Sequence, residues 1–170
     1  MAILEIKKYP DPILKKKTKL VRSINADIKN VIRDMFETMR KANGVGLAAN
    51  QVGLPLKIVV ISIPKETSQP DNYVLINPKI VQKKGKMIDD EGCLSFPGLY
   101  VQLKRHKYIK VKALDEKGKI YEIEGINLLS KALQHEIDHL EGKSFIDRLP
   151  ILLRLKAKRE IKRRIKAGTW

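Results

Sequence analysis

The stretch NLLSKALQHEIDHLEG at residues 127–142 carries two signals at once, one for a helix and one for a metal site. Apolar residues recur along it at spacings of three and four, and Gly142 stands where such a helix would end. His135 and His139 lie four residues apart, which places both imidazoles on one face of a helix, one turn apart. The stretch therefore predicts a helix that offers two nitrogen ligands to one metal ion.

Glu136 follows the first histidine and completes the pattern His-Glu-x-x-His. A carboxylate at that position can reach a water molecule on the metal and act as its general base. Two histidines do not complete a catalytic centre, because such a centre usually takes three protein ligands and keeps one position open. The sequence must therefore supply a third ligand elsewhere.

Two residues are candidates for that third ligand. Glu160 lies at about the separation that zinc peptidases with this motif use, but Arg159 and Lys162 are close to it, which favours a surface ion pair. Cys93 lies among glycines and a proline that predict a turn rather than a core strand. A thiolate with two imidazoles is an established ligand set for an open catalytic metal site. The residues thus favour Cys93 and keep Glu160 as the alternative.

The composition predicts a soluble globular protein of one domain. Hydrophobic residues make up 43% and charged residues 32% of the 170 residues, and no apolar run approaches the roughly 20 residues that span a bilayer. The single cysteine excludes a disulfide framework. The first residues show no apolar segment like that of a signal peptide, so we expect a cytoplasmic protein.

The charge is strongly basic, with 35 Lys and Arg against 19 Asp and Glu, a formal net charge of +16. This excess is compatible with a solvated surface or with a polyanionic partner such as nucleic acid or a ribosome. Aromatic residues make up only 5% of the chain and do not interleave with the basic runs. The sequence therefore gives little sign of a platform on which nucleic-acid bases could stack.

The order of helix and strand signals predicts an α+β fold. A first helix is expected over residues 25–44, with Asn25 as N-cap and Gly44 at its end. Strands are expected at residues 57–63, 73–81, 108–114 and 119–124, the last two forming a hairpin, with Pro78 bending the second or placing it at an edge. A very basic helix is expected over residues 151–170. Without regular βα alternation, we expect antiparallel or mixed sheets around the central metal-binding helix.

Three segments in this order resemble the signature motifs of the peptide deformylases: GVGLAANQ at 44–51, EGCLS at 91–95 and QHEIDHLEG at 134–142. The resemblance covers most of the chain. It implies one catalytic domain over residues 1–170, which removes the formyl group from the N-terminal formylmethionine of newly synthesised proteins and releases formate.

The resemblance also implies roles for residues of the site. Cys93, His135 and His139 would bind the metal, which in the family is generally Fe²⁺, with zinc, nickel or cobalt as substitutes. Glu136 would be the general base. The oxyanion would be stabilised by the Gln51 side chain and the backbone N–H of Leu94.

Four further residues are expected at the substrate. In the family the backbone at the position of Gly46 pairs with the substrate peptide, which adds a strand to the sheet. An apolar pocket for methionine is expected from Val45, Leu128 and Ala132, the last two lying two turns and one turn before His135.

The chain has one further similarity to the family and one difference from it near the second motif. Glu91 and Arg105 are expected to form a buried pair that supports the Cys93 loop. Asp89 stands where some members carry an apolar residue of the pocket wall.

The partners that the resemblance implies are nascent formylmethionyl chains, in the cytoplasm of a bacterium. The basic helix at 151–170 is a candidate ribosome contact, as in some family members, and neither a membrane nor a specific nucleic acid is expected. Two other functions remain as alternatives: a metallopeptidase that uses Glu160 as third ligand, and a basic ribosome- or nucleic-acid-binding protein with a decayed site.

Overall fold

The computed structural model describes residues 2–66 and 69–170, which form three α-helices and two antiparallel sheets. The helices are α1 (Ala26–Lys41), α2 (Leu128–Leu140) and α3 (Ile151–Lys166). The strands are β1 (Gly46–Ala48), β2 (Ile58–Ile63), β3 (Asp71–Lys84), β4 (Met87–Cys93), β5 (Phe96–Arg105), β6 (Tyr108–Leu114) and β7 (Ile120–Ile126). The predicted α+β class is confirmed, as are the four predicted strands and the hairpin of β6 and β7.

The larger sheet has the strand order β1-β2-β3-β6-β7, and every neighbouring pair is antiparallel. The short strand β1 is therefore an edge strand, paired with β2 alone through the register Gly46↔Ile61. This position matters for the site, because the backbone of an edge strand can pair with a further extended segment.

The predicted edge position for the strand around Pro78 is wrong, whereas the predicted bend is confirmed. Strand β3 lies in the middle of the sheet, but its register with β6 shifts between Ile76 and Lys79. At this irregularity Asn77 adopts a φ of 53°. A proline lacks the N–H that a regular ladder needs, so a bulge lets it sit within a central strand.

The smaller sheet, which pairs β4 with β5, was not predicted from the sequence. Its strands contain an Asp-Asp-Glu-Gly run and a Pro-Gly pair, residues that strands seldom contain, so composition favoured a turn. The two strands pair from Met87↔Arg105 to Gly92↔Tyr100, and the register shifts between Gly92 and Cys93. The hairpin thus places Cys93 at the end of a strand, at its turn.

Helix α1 begins as predicted, because the Asn25 side chain accepts a hydrogen bond from the backbone N–H of Ile28. Its end differs from the prediction. Asn43, with a φ of 54°, takes the left-handed conformation that was expected of Gly44. Gly44 instead packs closely against a flexible side chain, since a Cβ there would lie 2.6 Å from Leu94 Cδ1.

Helix α2 lies at the centre of the fold, against β1, β2 and β7. Its buried apolar side chains, Leu133, Ile137 and Leu140, join the core of the larger sheet. The following Gly142, with a φ of 70°, comes after the last helical turn as predicted.

Helix α3 covers a separate apolar cluster that includes Phe96, Leu99 and Phe145. On this helix Ala157 and Ile161 are buried, whereas Leu153 and Ile165, one turn to either side, are exposed. Within the described residues, no helix has both the length and the apolar character needed to cross a membrane.

Candidate metal centre

Three side chains that were predicted as metal ligands converge on one point. The Nε2 atoms of His135 and His139 are 3.2 Å apart, and Cys93 Sγ lies 3.2 Å from the Nε2 of His139. All three ligand atoms lie within 4.8 Å of one another. Ligand atoms bound tetrahedrally at about 2.0–2.3 Å from an ion are roughly 3.3–3.7 Å apart. The donor set and its spacing therefore fit a divalent transition metal.

The local structure explains why these three residues meet. The four-residue spacing on α2 aligns the two histidines, and the irregular end of β4 turns Cys93 towards them. Glu160 does not approach this point. Its carboxylate pairs with Arg163 at 2.7 Å and with Arg164 at 2.7 Å on α3, as the ion-pair interpretation predicted.

A buried chain of polar side chains orients the first histidine. His135 Nδ1 lies 2.5 Å from Glu91 Oε1, which leaves Nε2 facing the other two ligand atoms. Arg105 donates to both oxygens of Glu91, at 2.9 and 2.6 Å, which confirms the predicted pair. The same guanidinium donates to Asp138 Oδ2 at 2.7 Å, and Arg148 pairs with Asp138 from the other side.

These neighbours keep the carboxylate of Glu91 ionised. Burial alone would raise its pKa, but hydrogen bonds and charge from Arg105 and His135 lower the pKa of Glu91 to about 2. An ionised carboxylate at Nδ1 increases the basicity of the histidine as a ligand. The network therefore supports the metal centre as well as the hairpin that carries Cys93.

Glu136 lies beside the ligands with one carboxylate oxygen uncommitted. The side chain is buried, and Oε2 has no hydrogen-bond partner among the described residues. Burial raises the pKa of Glu136 to about 7, against the opposing charges of His135 and Arg105. A buried carboxylate with a free oxygen and a pKa near neutrality can accept and return a proton.

Gln51 is fixed on a short 3₁₀ helix that follows β1. Its Oε1 accepts a hydrogen bond from the Ala48 N–H at 2.8 Å, so its amide nitrogen points the other way. That Nε2 lies 3.5 Å from Cys93 Sγ and 3.2 Å from Ser95 Oγ. The amide donor is thus held beside the ligand cluster.

A cavity of about 560 Å³ opens onto these residues. Its lining includes Cys93, His135, Glu136 and Gln51, and it also includes all the other residues that the sequence placed at the substrate or oxyanion: Val45, Gly46, Leu94, Leu128 and Ala132. Of the predicted site residues, only His139 lies behind this surface; it is almost fully buried.

Several residues around the site were not assigned to it from the sequence. Lys131 and Tyr100 line the cavity, and Ser95 lies next to the Gln51 amide. Lys131 could have been found from its spacing, because it lies four residues before His135 on the same helix face. The contacts of the other two depend on the β4–β5 hairpin, which composition did not predict.

Comparisons with known proteins agree with this geometry. The sequence model of the polypeptide deformylase family matches residues 3–154. The chain is 49% identical to the peptide deformylase of Thermodesulfovibrio yellowstonii over 154 residues, which cover 91% of this chain and 93% of that protein. It is 48% identical to the peptide deformylase of Endomicrobium trichonymphae over the whole of both chains.

Solved structures show the same fold. The crystal structure of a peptide deformylase from Legionella pneumophila superposes with a TM-score of 0.90 at 42% identity, covering 98% of both chains. The peptide deformylase from Ehrlichia chaffeensis in complex with actinonin has a TM-score of 0.90 at 37% identity, covering 96% of this chain and 98% of that one. With a family match over most of its length and relatives nearly half identical to it, the chain belongs to the polypeptide deformylase family.

Proposed function

We propose that the cluster of Cys93, His135 and His139 binds the catalytic metal of a peptide deformylase whose single catalytic domain is residues 1–170. The reaction consumes one water and converts the N-formyl group of a formylmethionyl chain into formate and a free amine. The convergence of three ligand atoms beside a buried carboxylate carries this proposal. The chemistry that the bound ion supplies is activation of a water molecule and polarisation of a carbonyl oxygen.

Glu136 is the general base and acid of this reaction. Its free Oε2 takes the proton of the attacking water and later gives it to the nitrogen of the departing amine. The other oxygen, Oε1, is confined by the nearby backbone of Gly46, which fixes the direction of the carboxylate.

Gln51 and Leu94 stabilise the negative charge that develops on the formyl oxygen. The Gln51 amide is already oriented by Ala48 and Ser95, so it loses little freedom when the charge appears. The backbone N–H of Leu94, in the residue after Cys93, supplies a second donor on the same wall of the cavity.

The substrate peptide lies along the open edge of β1 and places its first side chain against α2. Gly46 and Val45 are at this edge, and Leu128 and Ala132 present an apolar surface to the cavity. Main-chain hydrogen bonds to an edge strand are independent of sequence, which suits an enzyme acting on many nascent chains.

Fe²⁺ is the ion we assign to the site, with zinc, nickel or cobalt able to replace it. A Cys-His-His set accepts several divalent metals, so metal analysis of protein purified without oxygen is the direct measurement. We place the enzyme in the bacterial cytoplasm, in line with its bacterial relatives.

Release of formate from an N-formylmethionyl peptide tests the proposal. The wild-type protein should produce formate, and Glu136→Ala should abolish turnover while the metal stays bound. Cys93→Ala should lose both metal and turnover. Glu160→Ala serves as the matched control, because its carboxylate pairs on α3, and it should change neither.

These variants also separate the deformylase from a metallopeptidase. If Glu160 were the third ligand, Cys93→Ala would keep its metal and Glu160→Ala would lose it. A protein that binds metal but cleaves only unformylated peptides would overturn the proposal.

We assign the exposed side of the basic helix α3 as the surface that contacts the ribosome. Its buried side carries Ala157 and Ile161, so its outer side presents exposed cations to solvent: Lys156, Lys158, Arg159, Lys162, Arg163 and Lys166. A cationic helix gains affinity for RNA by releasing counterions and loses it with added salt.

Charge reversal on the exposed side tests this contact better than truncation. Deleting residues 154–170 would remove Ile161 and Trp170, which pack on the Phe96 cluster, and would damage the fold. Replacing Lys158, Arg159 and Lys162 by Glu leaves that packing intact. Co-sedimentation with ribosomes should fall in this variant and at high salt, and binding insensitive to both would contradict the contact.

A further inference from the structure

Lys131 occupies the middle of the helix face that forms the substrate cavity. One side of α2 carries four residues at spacings of three, one and three: Leu128, Lys131, Ala132 and His135. All four line the cavity. Lys131 is about 6 Å along the helix axis from the metal ligand His135, on the way to the outer residue Leu128.

The ammonium group of Lys131 is tied to the opposite wall. It donates to the Asp89 carboxylate and to the Asp90 backbone oxygen at 2.9 Å, and thus bridges α2 and β4. The Lys131 side chain is only 17% exposed, although the Asp89 side chain is 53% exposed. An ion pair with one exposed partner adds little stability, because water and salt screen it. Its main effect is therefore to fix where the ammonium lies.

One N–H of the Lys131 ammonium is left without an acceptor in the described part of the chain. An ammonium has three N–H bonds, and among residues 2–66 and 69–170 its recorded acceptors are the two on β4. The apolar part of the lysine side chain can pack along a substrate side chain while the charged end stays at the rim. The wall that α2 contributes to the cavity is thus apolar at Leu128 and Ala132 and carries a hydrogen-bond donor at Lys131.

We infer that Lys131 is a specificity-determining residue, whose ammonium donates to an acceptor at the far end of the first side chain of the substrate. This inference rests on the proposed deformylase function. The class of substrate it adds is formylated chains whose first side chain is methionine-sized and ends in an oxygen acceptor, such as methionine sulfoxide. The ammonium of Lys131 thus favours substrates that carry such an acceptor.

The test compares N-formyl dipeptides that begin with methionine, norleucine or methionine sulfoxide. The measured quantity is the ratio of kcat/KM for the sulfoxide to that for norleucine, which has no acceptor at that end. Lys131→Met should lower this ratio about five- to tenfold, since it removes a charged hydrogen-bond donor of nearly the same length. Lys131→Arg, which keeps charge and donors, should retain most of the ratio.

Two further variants keep the test decisive. Asp89→Ala removes the carboxylate partner of the ammonium and leaves only the Asp90 backbone oxygen to hold it, so it should lower the ratio in the same direction. Lys110→Met is the matched control, because Lys110 is a partly buried lysine in an ion pair with Glu124 outside the cavity, and it should leave the ratio unchanged.

The outcomes separate this inference from the proposed function. A wild-type protein that releases no formate from any of the peptides overturns both. An active protein whose ratio is unchanged in Lys131→Met overturns the role of Lys131 alone. An equal loss for all three peptides, with a lower melting temperature, would show that the bridge is only structural and would also overturn it.

Discussion

The backbone of Gly46 lies directly against the carboxylate of Glu136. A Cβ at position 46 would be 2.5 Å from Glu136 Oε1 and 2.8 Å from its Cγ, closer than real Cβ contacts. The edge strand β1 therefore contacts the general base Glu136 directly. The metal ligand His135 is the residue before Glu136 on α2. Glycine is thus required here by the carboxylate of Glu136, in addition to the backbone pairing with the substrate that the family resemblance implied.

Gly46→Ala should reduce turnover about a hundredfold, because the added methyl group pushes the Glu136 carboxylate out of line with the attacking water. Metal content should stay unchanged, since the three atoms nearest to this methyl group all belong to Glu136, which is not a ligand. The measurement is kcat together with metal per chain. Gly44→Ala is the matched control: its methyl would meet the end of the Leu94 side chain, which can rotate, so the loss should be clearly smaller. Equal losses would contradict this explanation.

Glu91→Gln should weaken metal binding by about 10- to 100-fold, the usual effect of losing a carboxylate behind a ligating histidine. The neutral amide no longer offers His135 Nδ1 an ionised acceptor at 2.5 Å. Competition with a chelator under anaerobic conditions measures the affinity. Glu122→Gln, at an exposed carboxylate on β7, is the control and should leave the affinity unchanged. An unchanged affinity in Glu91→Gln would mean that the contact does not tune the ligand.

Gln51→Leu should lower kcat by about 10²–10³-fold, the typical effect of removing one oxyanion donor. It should also cost about 1–3 kcal/mol of stability, because the Ala48 N–H loses its buried acceptor. Ser95→Ala removes only the contact that orients the amide at 3.2 Å, and we expect less than about a tenfold loss. Steady-state kinetics at equal metal content distinguish the two, and a larger loss in Ser95→Ala would refute the role of the amide.

The metal ligands were predictable because a helix converts sequence spacing into geometry. Residues four apart on a helix, such as His135 and His139, lie on one face, and the glycine and proline neighbours of Cys93 predicted a turn there. The pairing of Glu91 with Arg105 was predicted only through the family resemblance.

The contacts that were missed depend on segments far apart in the chain. Strands β4 and β5 contain poor strand formers and are stabilised by pairing with each other, which composition does not reveal. The contact of Gly46 with Glu136 joins residues separated by about half of the sequence. At the end of α1, Asn43 rather than Gly44 adopts positive φ, because Asn tolerates that conformation. Gly44 instead packs closely against the Leu94 side chain.

Ile161→Ala should destabilise the protein by about 2–4 kcal/mol, the usual cost of truncating a buried aliphatic side chain. Ile161 is 1% exposed and packs in the cluster that contains Phe96 and Phe145 behind the Cys93 hairpin. Ile165, on the next turn of α3, is 43% exposed, so Ile165→Ala should cost less than about 1 kcal/mol. Denaturant unfolding of the metal-loaded protein measures both. Equal small losses would mean that α3 is not firmly docked, and the basic surface would then not be fixed relative to the active site.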